Sequence, residues 1–286
     1  MAFYQGFRVL EINLKENQAQ FRSFADSENF LGGLGLGLKL LRTDLAEPQA
    51  VLAIGPLTGL FPFASKYCLL SYSNGKLTES YGSGRLALIL KFAQIDAIVI
   101  TGMARRPILV SIRSDRGVTF YEDDLTGRES FARDGLPGRK STVLFSSEES
   151  FVDTNFVFEV NVGRQLYLSN LLGLTVTADQ LVPIVKESDY QEIYQEILGR
   201  GQELEVTYSN RQSCGGCPAG CELSSVVEER IELVLSHCLV TCGFAKAIFE
   251  SQSLVFSCLN SLGYSYKHED LELVAPKVLR LRSNFI

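Results

Sequence analysis

Three cysteines fall within eight residues, Cys214-Gly-Gly-Cys217-Pro-Ala-Gly-Cys221. The glycines let the backbone wrap tightly and Pro218 stiffens the turn, so the three thiols converge. Converging thiolates bind soft metals. An iron–sulfur cluster takes four cysteine ligands, and a four-cysteine zinc site uses the same donors at other spacings. Three inert core thiols beside so many glycines explain the pattern less well. For a fourth donor the chain offers Cys238, Cys242 and Cys258. Cys238 and Cys242 are four residues apart on the apolar stretch Ile231 to Phe249, a spacing that predicts a shared helix face. Cys68 and Cys258 read as packed core thiols. With two histidines in the whole chain, a site built on imidazole is excluded as the main theme.

The setting agrees with metal rather than disulfide. Seven cysteines is an odd number, and five of them lie between Cys214 and Cys242, which predicts a reduced, cytoplasmic compartment. The N-terminus carries no basic flank followed by an apolar core. Apolar runs also stay well short of the ~20 residues needed to cross a bilayer. Basic residues are scattered, and 27 of them against 33 acids leave a net charge of −6, so the footprint of a nucleic-acid-binding surface is missing.

Around these thiols, short β-like runs dominate to about residue 161: 7–14, 51–54, 67–72, 97–101, 108–112, 118–121, 143–146 and 156–161. Each alternates or stays apolar between Gly, Pro, Asn and Asp punctuation. Two helices are expected among them, 28–41 and 84–93. The first contains Leu31-Gly-Gly-Leu-Gly-Leu-Gly-Leu38. Glycines of this kind can cradle phosphate, but no acidic residue closes a βαβ unit about 20 residues on, as a dinucleotide site requires. Close packing of the helix is the expected role.

Several separate motifs carry a family resemblance in the right order: Phe30 to Leu41, Ile54-Gly-Pro-Leu-Thr-Gly59, Leu90-Lys-Phe-Ala93 and Asp96-Ala-Ile-Val-Ile-Thr-Gly102. Over this region the chain resembles the N-terminal domain of the tungsten-pterin aldehyde:ferredoxin oxidoreductases. The resemblance implies an α+β fold, with a β-rich base at 1–185 on which a pyranopterin lies and a helical cysteine segment at 186–286. It also favours a [4Fe-4S] cluster over zinc at Cys214, Cys217 and Cys221. Cys242-Gly-Phe244 stands where the family has its distant fourth cysteine, so Cys242 is the first choice and Cys238 the second. His237 and Val240 occupy the places of that motif's Asp and Gly. The ending 257–285, with its Asn before a Gly–aromatic turn and its final Asn-Phe, resembles a late segment of the same family.

The departures matter as much. Only twenty residues separate Cys221 from Cys242, where the family's full enzymes place two largely helical domains. By the resemblance, cofactor contacts fall to Lys66, in place of an Arg, and to Arg164. Tyr81-Gly-Ser-Gly84 replaces Asn-Ser-Gly-Gly, and Gly163-Arg-Gln-Leu-Tyr-Leu168 replaces a stretch of bare glycines. Losing the substrate side while keeping the cysteines implies electron transfer through one [4Fe-4S] cluster, with tungstopterin catalysis lost or supplied by a partner and no catalysis by the chain alone. The alternatives are a tungsten- or molybdenum-pterin aldehyde oxidoreductase still working with ferredoxin, and a scaffold in which the cluster supplies folding energy. Stripped covering domains predict exposed apolar surface, hence a homo-oligomer or a complex with a redox protein or full-length relative.

Overall fold

The computed structural model describes residues 6–25, 30–44, 47–73, 75–135, 138–153, 156–158, 160–204, 214 and 234–285. Its β-rich part is built twice from one plan. The first copy runs β1 (Phe7–Asn13), β2 (Gln18–Phe24), α1 (Gly33–Leu40), β3 (Gln49–Ile54), β4 (Tyr67–Ser73), β5 (Lys76–Gly82), α2 (Leu86–Phe92) and β6 (Ala97–Thr101). The second repeats it as β7 (Ile108–Arg113), β8 (Gly117–Glu122), α3 (Leu125–Arg133), β9 (Lys140–Leu144), β10 (Ser150–Val152), β11 (Phe156–Phe158), α4 (Val160–Leu168) and β12 (Leu171–Thr177). The strand orders, β2-β1-β6-β3-β4-β5 and β11-β10-β9-β12-β7-β8, superimpose when the second is reversed. Each six-stranded sheet has one parallel pair, β1 with β6 and β7 with β12, among antiparallel neighbours.

Side-chain alternation then sorts the apolar residues into two cores. Leu10, Ile12, Leu52, Leu69 and Ile98 from the first sheet meet Ile108, Val110, Ile112, Val143, Leu174 and Val176 from the second, with Leu86 and Leu90 of α2 in the same core. The opposite face of the first sheet presents Val9, Val51, Ala53, Cys68, Leu70 and Val99 to α1 and to the C-terminal helices. Those helices are α5 (Glu187–Gly201), α6 (Val234–Leu239), α7 (Lys246–Phe249), α8 (Gln252–Ser261) and α9 (His268–Arg282). The arrangement is α+β.

Three expectations are corrected by the fold. Two further helices, α3 and α4, stand inside the β-rich part. α3 is polar and announces itself mainly through Asp124, whose side chain caps the Gly127 N–H at 2.6 Å. The strand expected at 156–161 stops at Phe158 and gives way to α4. The single helix expected over 231–249 is broken after Leu239. Val240 turns to a left-handed φ of 55°, which no helix continues, and the chain resumes only as a 3-10 turn at Gly243–Ala245 and then α7.

Candidate metal centre

Glycine decides where the cysteine-bearing segment sits. A side-chain carbon on Gly55 would overlap the carbonyl of Leu239, and one on Gly33 would overlap those of His237 and Cys238. The backbones of α1, of the loop after β3 and of the end of α6 therefore meet with no side chain between them. Gly33, at a φ of 42°, needs glycine for conformation as well. The glycine-rich segment is thus a packing surface, with Gly37 against Leu70 of β4.

Two backbone bonds fasten the junction. The Lys66 N–H donates to the Val240 carbonyl at 3.2 Å, and the Cys242 N–H donates to that of Phe63 at 2.7 Å. Cys242 is thereby held beside the start of β4, with Lys66 next to it. Cys214 lies close by: its charge acts on both Cys242 and Tyr67. Cys214 is partly exposed, Lys66 is 3% exposed and Tyr67 is fully buried.

At Cys242 burial and nearby positive groups pull in opposite directions, and burial wins. Burial pushes the Cys242 thiol up to about 11, while the Lys66 ammonium and the N–H groups of Phe244 and Ala245 pull the other way. A sulfur with backbone N–H groups and a buried cation nearby is in the kind of surroundings that tune an iron–sulfur ligand. Cys217 and Cys221 lie outside the described residues. Among those described, no group of three or more His, Cys, Asp or Glu side chains is placed to hold a metal ion; of the four expected ligands, Cys214 and Cys242 are the two that the structure describes.

The remaining sulfurs lie elsewhere. Cys238 is buried against α1, its thiol pushed up to about 12 by burial and opposed by a hydrogen bond from the Gly35 backbone. Cys258 is buried in α8 and likewise pushed up to about 12. Cys68 faces the helices from β4. The two basic residues expected at a pterin are in unlike surroundings. Lys66 is interior and acts on Cys242, whereas Arg164 stands exposed on α4. Tyr81 is buried and donates its phenol hydrogen to Glu79 at 2.6 Å. Sequence reading missed the Glu79–Tyr81 pair, since Thr78-Glu-Ser80 carries no apolar alternation.

A duplicated α+β base carrying a cysteine-bearing helical segment is the class of protein that the fold defines. In particular, residues 9–135 match the family model "Aldehyde ferredoxin oxidoreductase, N-terminal domain". The tungsten-containing aldehyde ferredoxin oxidoreductase of Pyrococcus furiosus is 28% identical over 222 residues, which cover 68% of this chain and 36% of that protein. The aliphatic sulfonate oxidoreductase, WOR-like subunit, of the same organism is 30% identical over 131 residues, covering 40% and 20%. The chain therefore spans about a third or less of the length of these relatives. Among solved structures, the active site complex BamBC of benzoyl coenzyme A reductase with 1,5 dienoyl-CoA shares the fold, with a TM-score of 0.63 at 14% identity over 98% of this chain and 61% of that one.

Proposed function

We propose that the protein is an oxidoreductase-family electron carrier that holds one [4Fe-4S] cluster through Cys214, Cys217, Cys221 and Cys242, tungstopterin catalysis being lost from this chain or supplied by a partner. The observation that carries this reading is the juxtaposition of Cys214 and Cys242 beside the buried Lys66. When bound, such a cluster supplies one-electron chemistry at a potential set by burial, charge and hydrogen bonds. The chain's own part is to present the thiols and to offset their charge with Lys66 and the nearby backbone N–H groups of Phe244 and Ala245. Partial exposure of Cys214 leaves a route to a docked redox partner. A relative whose name ends in "subunit" supports membership of a complex, and the free thiols support a reduced cytoplasmic setting. No helix among the described residues is long and apolar enough to cross a membrane.

Anaerobically purified protein tests the reading. About four iron and four sulfide per chain, with a paramagnetic signal on reduction, is the expected outcome. Stoichiometric zinc without sulfide contradicts it. Bound tungsten with pterin and turnover of an aldehyde by the isolated chain would restore the enzyme reading.

A further inference from the structure

The outer face of the first sheet holds a second polar group that the thiol centre does not use. Glu79 on β5 is a carboxylic acid whose side chain is 10% exposed. Its Oε1 accepts the Tyr81 phenol hydrogen at 2.6 Å. Its Oε2 lies 3.6 Å from Arg282 Nη2 of α9, too far for a hydrogen bond. Oε2 and Arg282 Nε are both buried without a hydrogen-bond partner among the described residues. The Tyr81 ring stands edge-on to His237 of α6, with centroids 4.8 Å apart. Among the described residues, the charged or titratable groups around the acid are Lys76 and Tyr81 on its own strand, Arg282 on α9, His237 and Cys238 on α6, and Cys68 on β4. One side of this group opens outward. A cavity of about 290 Å³ at the β4–β5 hairpin is lined by Lys76, Glu79, Arg282 and Phe285, room enough for water to reach the acid.

A carboxyl with one oxygen bonded to Tyr81, the other ion-paired with Arg282 at 3.6 Å, and a cavity at its side is placed to take up or release a proton. Burial holds Glu79 above the usual carboxylate range, with the Tyr81 bond and the charges of Arg282 and His237 opposing. Its charge is felt at Cys238, four residues before Cys242 on the segment that carries the thiol centre. Negative charge added at that centre raises the proton affinity of a nearby buried acid, because Coulomb interactions persist through poorly screened interior.

Resting on the cluster reading above, we propose that the hairpin cavity is a proton entrance and that Glu79, with Tyr81, takes up a proton from solvent when the cluster is reduced. The balance is simple. One electron arrives from a low-potential one-electron donor, one proton arrives from water through the cavity, and the proton rests on the carboxyl oxygen. No covalent bond to the cluster forms or breaks. The reverse transfer releases both.

Redox titration of the cluster-loaded full chain at several pH values, from about pH 5 to about pH 9 to bracket a raised carboxyl, tests this. The expected midpoint potential falls as pH rises, at a slope no steeper than about 59 mV per unit, the tenfold constant for one electron. In Glu79→Gln the slope disappears while iron and sulfide are retained. In Tyr81→Phe, which keeps the ring but removes the bond, the slope persists and moves to higher pH. A reducible wild-type cluster with a flat potential overturns the proton path and leaves the cluster reading standing, as does a slope unchanged in Glu79→Gln. Absence of any reducible cluster overturns both. Should Glu79→Gln fail to fold, the wild-type slope and the Tyr81→Phe displacement decide.

Discussion

The two copies of the six-stranded plan share a topology and part company on their outer faces. In the first, α1 buries every residue except Lys39, and the face beneath it is closed by α6, α8 and α9. In the second, α3 buries only Gly127 and Phe131, and the sheet answers solvent with its own hydrogen bonds. There Asp134 accepts from the Ser111 hydroxyl, from Arg113 Nη1 at 2.8 Å and from the Tyr121 hydroxyl at 3.3 Å, while the Thr142 and Thr175 hydroxyls pair at 2.9 Å. One plan thus serves two purposes. An apolar, glycine-rich face recruits the helical segment that positions Cys242, and a polar face stands alone. The contrast teaches that the same sheet plan takes on different surroundings according to what covers it.

The comparison breaks most readily at the paired helices. Leu36→Ala in α1, at a fully buried position, is expected to cost about 2–5 kcal/mol by urea unfolding, and the loosened α6 contact should carry iron binding down with it. Equal damage to stability with undiminished iron binding would separate α1 from the centre. On the second face, Asp134→Asn should cost about 1.5–3 kcal/mol, the worth of hydrogen bonds to a charged group, without altering iron content.

Acid and base response sharpens the contrast further, because the two faces carry carboxyls shifted in opposite directions. Partial burial opposes ionisation of Asp134, but the bonds from Ser111 and Arg113 hold it below the ordinary value. The unfolded chain then binds the proton more tightly, so stability from this group is present above the unfolded carboxylate value and is lost as pH falls through the folded one. Glu79 is raised chiefly by burial; the folded chain binds its proton more tightly, and stability from this group declines as pH rises from the unfolded value through the folded one. Unfolding free energies measured across the acid range should therefore lose their rise with pH in Asp134→Asn and lose their decline in Glu79→Gln. The same sign in both variants would contradict the assignment of the two faces. The smallest effect belongs to Leu125→Ala in α3, at a position 77% exposed, which should stay within about 0.5 kcal/mol of the parent.

Much of the base was legible because its inner core is apolar on a period of two. β6 was expected at 97–101 and is found there, and β1, β3, β4, β7 and β8 lie within a few residues of their expected places. β2, with the sequence Gln18-Ala-Gln-Phe-Arg-Ser-Phe24, is an exposed edge strand whose only signal is its pairing with β1. β5 reads as polar because Lys76, Thr78 and Glu79 meet their surroundings only through the β4 register and the C-terminal helices. The repeated plan is seen in the strand order, where the outer faces differ in polarity. At the site, Cys214 and Cys242 were expected from spacing and resemblance, and the structure sets their charges within reach of each other. The burial of Lys66 was not, for it follows from the backbone clamp to Val240, and the break after Leu239 follows from a left-handed Val240 that no periodicity signals. Cys217 and Cys221 rest on spacing and resemblance alone.

The central claim is that the junction of α1, the loop after β3 and the end of α6 places Cys242, and not Cys238, at the metal. Iron and acid-labile sulfide counted in parallel on anaerobic preparations of the parent, Cys242→Ser and Cys238→Ser test it directly. The expected result is about four of each per chain in the parent, near-complete retention in Cys238→Ser and loss in Cys242→Ser. Loss in Cys238→Ser with retention in Cys242→Ser would contradict the account.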